Sequence, residues 1–210
     1  MITSDKTILY KYMPSDAVEN VCLLLEKYPV QLKITNPRKR IHGSYRRPGR
    51  QSNLHQITVN GDLNKYTFLL TLLHEIAHMH AWTNYKARSH GKEWKYCFML
   101  LIKQFLALNI FPDDIKTALS RHLQNIKSSD FMDVQLTKTL QKYNENTLSF
   151  HHTIHLEEIP ENTVFLHEGK CMEKQKLLRK YYLCKDLKTK KMYRCHPLLE
   201  VCLPQKDKNE

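Results

Sequence analysis

A chain of 210 residues is long enough for one substantial core, or one core with a small appendage, and its 41% hydrophobic content argues against global disorder. It has no apolar stretch long enough to span a membrane, and its amino terminus lacks the basic-then-apolar pattern of a secretory leader, so no membrane partner is expected and the expected location is the cytoplasm. The formal net charge of +12 attracts polyanions at long range without constraining the fold.

Ser15 and Asp16 open a helical pattern carried by Val18, Val21, Leu24 and Leu25, which stops before Pro29. Val30 to Thr35 alternates polar with apolar and reads as a half-buried strand. A basic segment follows, with turns expected at Pro37, Gly43 and Pro48-Gly49, and Ile57-Thr58-Val59 returns as a strand bounded by Asn60-Gly61. Within that segment Arg38, Lys39, Arg40, Arg46, Arg47 and Arg50 crowd around Tyr45. Cations interleaved with an aromatic suit a phosphate backbone and stacked bases, so Arg38, Lys39, Arg40, Tyr45, Arg46 and Arg47 are the candidate nucleic-acid contacts. A solvated basic face is the competing explanation.

The most informative stretch is the next helix, expected from about Asn64 to Ala81. Its apolar run contains His74-Glu75-Ile76-Ala77-His78, an H-E-x-x-H pentad. On a helix the two imidazoles stand one turn apart on one face, within reach of a single zinc ion, and Glu75 lies beside the first as a general base for a water molecule. Burying such groups among apolar neighbours is costly unless something pairs them, which a metal does. A third ligand must come from elsewhere. A metzincin pattern requires glycine at position 81 and histidine at 84, where the chain has Ala81 and Asn84, so that class is excluded. A thermolysin-like site takes a downstream glutamate, for which Glu93 is the nearby candidate. His90 is the better one, because Ser89 reads as an N-cap, Gly91 permits close backbone approach, and a second helix is expected from about Gly91 to Leu108.

Thr71-Leu-Leu-His-Glu-Ile-Ala-His78, followed by His90-Gly91 and Trp94, resembles the SprT-like, or Spartan-type, zinc metalloproteases. Ile57-Thr-Val-Asn60, Leu63-Asn64 and Tyr66 upstream are similar as well, so the resemblance covers about the first half of the chain. It implies an α+β, zincin-like core in which His74, His78 and His90 bind Zn2+ and Glu75 is the catalytic acid/base. It further implies protein substrates bound or crosslinked to DNA, with DNA as a partner that switches on cleavage. The expected activity is therefore that of a zinc-dependent endopeptidase; the alternative is a non-catalytic DNA- or protein-binding module with a structural zinc.

Beyond the second helix, Phe111-Pro112 breaks the chain, Asp113 and Asp114 suit a helix start, and Ile115 to Leu123 is amphipathic, with His122 on an ordinary helix face. A short helix is expected over Val134 to Tyr143, closing a metalloprotease domain at 1–145. Residues 146–162, with His151, His152 and His155, read as a linker. Over 163–205 the pattern becomes β, in Val164-Phe-Leu-His167, Tyr181-Tyr-Leu-Cys184, Met192-Tyr-Arg-Cys195 and Leu199-Glu-Val-Cys-Leu203. A second basic set, including Lys170, Lys174, Lys176, Arg179 and Lys180, surrounds Tyr181 and Tyr182. Six cysteines without a leader read as reduced thiols, Cys22 and Cys97 as small core residues. The resemblance suggests a zinc ribbon in the late β region, but its paired C-x-x-C knuckles are missing, so this region reads as a degenerate ribbon held by hydrophobic pairing, and a second zinc on Cys171, Cys184, Cys195 and His196 is not favoured.

Overall fold

The computed structural model describes residues 6–38, 41–50, 52–87, 90–126, 133–144, 153–167 and 170–203. The chain divides into two compact units, Met1–Glu145 and Asn146–Glu210.

The first unit is α+β. Helices α1 (Lys6–Tyr12) and α2 (Ser15–Glu26) precede strand β1 (Val30–Thr35), then come β2 (Gly43–Arg46) and β3 (His55–Asn60), and then α3 (Lys65–Tyr85), α4 (Lys92–Ala107), α5 (Asp113–His122) and α6 (Val134–Gln141). The sheet runs β1-β3-β2, with β1 parallel and β2 antiparallel to β3. Helix α3 is the axis of this unit: Phe68, Leu69, Leu72, Leu73, Ile76, Ala77 and Met79 are fully buried, so it is apolar on nearly every side. It starts at Asn64, whose side chain accepts from the Thr67 N–H at 2.9 Å while its amide donates to the Leu140 carbonyl, tying α6 to the start of α3. It ends four residues beyond Ala81, at Tyr85, and is capped by Lys86, which takes the left-handed conformation usually left to glycine (φ 55°).

Several local expectations change. Strand β2 lies where turns were expected, and α1 was not anticipated, its seven residues burying only Leu9. Helix α4 is capped at Gly91 without a side-chain bond, while Ser89, expected as the cap, lies outside the described residues. His122 is no ordinary surface residue: it is 1% exposed, and its Nδ1 lies 2.9 Å from Asp133 Oδ2, a pairing across eleven residues.

The second unit carries a six-stranded antiparallel sheet in the order β4-β9-β5-β6-β7-β8, formed by β4 (Thr153–His155), β5 (Val164–His167), β6 (Lys170–Leu177), β7 (Tyr182–Asp186), β8 (Met192–Cys195) and β9 (Glu200–Cys202). Within the stretch expected as a linker, β4 pairs with β9 and runs into a 3-10 turn at Leu156–Glu158; His151 and His152 lie outside the described residues. Leu156, Ile159, Phe165, Met172, Cys184 and Val201 form this unit's own core. Lys174 leaves the exposed basic set. It is 2% exposed, its ammonium donates to the carbonyls of Ile159 (2.6 Å) and Leu156 (2.8 Å), and it sits 3.8 Å from the centre of the Tyr182 ring. All six cysteines are free thiols.

Burial holds His42, His55 and His80 of the first unit below the ordinary histidine pKa. As pH falls through about 6.5 the unfolded chain takes up protons first, so the stability these groups contribute is complete above that value and is lost below it. The denaturation midpoint of the metal-free protein should therefore fall between about pH 7.5 and 5.5. His80→Gln should shallow that dependence; a slope as steep as in the wild type contradicts the assignment.

Candidate metal centre

His74 and His78 leave α3 one turn apart on the side that faces the start of α4, where His90 stands two residues before the helix begins. His90 Nε2 lies 3.0 Å from His74 Nε2 and 3.0 Å from His78 Nε2. Two nitrogens bound to one tetrahedral zinc at about 2.0–2.1 Å stand roughly 3.3 Å apart, so the spacing fits a shared ion. Hydrogen bonding fits it less well. An imidazole nitrogen offers one in-plane proton or one lone pair, so His90 Nε2 cannot bond well to both partners at once, whereas a central cation engages all three lone pairs. Glu75 is 7% exposed and is not in the ligand group.

Trp94 forms the floor. It is fully buried, with its ring centre 4.6 Å from that of His74, 5.3 Å from His78 and 4.5 Å from His90, and its indole N–H donates to the His74 carbonyl at 3.4 Å. Behind it Phe98 stacks at 5.0 Å and meets His122 edge-on at 6.2 Å, so the histidines rest on a ladder of rings running from α3 through α4 to α5. The opposite wall is β2. The Tyr45 ring lies parallel to that of His78, 6.2 Å away, and its hydroxyl is 2.8 Å from His55 Nδ1. Burial raises the Tyr45 phenol and lowers His55, so both stay neutral and share one hydrogen bond at neutral pH.

Residues 25–112 match the model described as the SprT-like family. Over that stretch the chain is similar to the SprT-like family. No curated protein and no solved structure matches the chain. The SprT-like segment runs from the end of α2 through the sheet, α3 and α4, and so contains all four residues of the centre. The second unit lies wholly outside it.

The SprT-like segment brings His74, His78 and His90 together and leaves Glu93 out; Glu93 instead faces Lys92 at 3.9 Å. The candidate nucleic-acid contacts separate. Arg38 braces its own loop, donating from Nε to Asn60 Oδ1 at 2.8 Å, and Lys39 and Arg40 lie outside the described residues. Tyr45 serves as the wall of the centre, while Arg46 and Arg47 are exposed and the Arg47 guanidinium lies 4.5 Å from the Trp82 ring. Sequence reasoning passed over Gly43, His55 and Trp82. Gly43 and Tyr45 share one face of β2, and Arg47 follows one residue beyond its end. In the second unit, Cys171, Cys184, Cys195 and His196 form no metal-sized group among the described residues.

Alanine at His74, His78 or His90 should each abolish stoichiometric zinc binding, and Glu75→Gln should keep it. Metal content after gel filtration measures this; zinc retained by a His90 variant contradicts the ligand set.

Proposed function

We propose that the protein is a zinc-dependent endopeptidase with a zincin-like core, acting on proteins bound or crosslinked to DNA. The observation that carries this reading is the convergence of three imidazole nitrogens beside a buried glutamate on the same helix. His74, His78 and His90 hold the ion, and zinc when bound supplies a Lewis acid for a water molecule and for the scissile carbonyl. Glu75 takes a proton from the attacking water and returns one to the leaving amine. Trp94 and Phe98 keep the inner side of the site dry and fix the imidazole planes.

The substrate path follows from the ladder. The Asn60 N–H donates to the His42 carbonyl at 2.8 Å, and Ser44 and Arg46 stand opposite Thr58 and Gln56. Antiparallel alternation then turns the N–H and C=O of Gly43 and Tyr45 to the free edge of the sheet, where an extended peptide can add as a further strand next to the histidines.

The polyanion reading rests on the far end of the same wall, where Arg47 and Lys86 gather around Trp82, with the Lys86 ammonium 5.6 Å from that ring and the exposed Arg46 next to Arg47 in the chain. Cations over an indole suit a phosphate backbone with a stacked base.

Zinc-loaded protein should cleave a basic DNA-binding protein in the presence of single-stranded DNA, and Glu75→Gln should abolish cleavage. Cleavage by the Gln variant, or none by the zinc-loaded wild type, contradicts the proposal. Affinity for the oligonucleotide should fall steeply with salt, and charge reversal at Arg46 and Arg47 together should weaken it and shallow the salt slope by about one for each phosphate no longer neutralised. Salt-independent binding removes the DNA part of the reading.

A further inference from the structure

Strand β2 lies along α3 in register. Gly43 meets Thr71 and Glu75, Tyr45 meets His78 and Arg47, just past the end of the strand, meets Trp82, so alternate residues fall on successive turns of the helix. The first of these contacts is made by a residue with no side chain. A Cβ at Gly43 would stand 2.7 Å from Glu75 Oε1, 2.7 Å from Thr71 Cγ2 and 3.0 Å from Glu75 Cγ. Gly43 is not among the residues with a left-handed φ, so its backbone is open to any residue and space alone calls for glycine. By contrast, a Cβ at Gly49 would meet nothing within 4 Å.

We propose that Gly43 is a positioning residue for Glu75: the bare backbone at the head of β2 forms the seat in which the carboxylate is held beside the three histidines. This rests on the assignment of Glu75 as the general base. The two crowding groups differ in how they can yield. Thr71 is 5% exposed and branches at Cβ, so its short side chain has little room to move away from an added methyl. The Glu75 carboxylate is the far end of an unbranched side chain, and it is the group an added methyl would displace. The imidazoles of His74, His78 and His90, all held by Trp94, stay where they are. The consequence is selective: metal binding survives while the base moves by several tenths of an ångström. Since β2 also turns the Gly43 amide to the free edge, one residue sets the distance between the base and a peptide paired there.

The test separates the base from the metal by means of acetohydroxamate, a bidentate zinc ligand whose acidic proton a neighbouring carboxylate accepts. Gly43→Ala should fold, bind zinc as tightly as the wild type in chelator competition, and bind acetohydroxamate about tenfold more weakly, as Glu75→Gln should. Gly43→Ala/Thr71→Ser, which removes the stiff methyl and gives the new Cβ room on that side, should recover part of the loss. On a cleaved substrate, kcat should fall about 10- to 100-fold with KM within about twofold. Wild-type hydroxamate affinity in Gly43→Ala overturns the inference. So does a loss that tracks loss of zinc or of folding in both the single and the double variant, which would make Gly43 a packing residue only. A wild type that binds the hydroxamate yet cleaves no protein defeats the endopeptidase reading and leaves this inference to be judged on the binding data.

Discussion

The constraint on which the first unit depends is the crowding of three imidazole nitrogens around one point. Lone pairs this close are stable together only with a cation or an exact sharing of protons, so the scaffold that holds them must be stiff. The stiffness comes from burial. Helix α3 is enclosed on nearly all sides, and α4 packs against it through Trp94 and Phe98, whose rings fix the planes of His74, His78 and His90. The third histidine needs no helix of its own, because it stands directly before Gly91, the extended N-cap of α4.

The second structural device is the pairing of β2 with α3. A four-residue strand supplies the ring that faces His78 and the bare backbone that faces Glu75, and Arg47, just past its end, supplies the cation that faces Trp82. Among the described residues it is also an edge strand, so one short element runs from the sheet edge to the three histidines and Glu75. The second unit draws on none of these residues. It has its own core, and its buried lysine is satisfied by backbone carbonyls.

The sequence disclosed the centre far better than its walls. The pentad lies in a run too apolar to be anything but a buried helix, and His90 stands beside a glycine at a helix start; both signals are local, and both survive in the α+β fold. Strand β2 was hidden because Gly43 and Pro48-Gly49 read as turn residues and because its residues are partly exposed on both faces, which erases the alternation that marks a strand. His122 looked like a surface histidine because its partner Asp133 is eleven residues away. Lys174 looked exposed because nothing in a sequence reveals that the carbonyls of Leu156 and Ile159 converge on one ammonium. In each case the deciding contact is tertiary.

X-ray absorption at the zinc edge of the loaded protein tests the central claim most directly. The account predicts three imidazole nitrogens at about 2.0 Å and one exchangeable light-atom ligand from solvent, the coordination of an open site. A closed shell of four protein ligands, or any sulfur in it, would contradict the account and make the zinc structural.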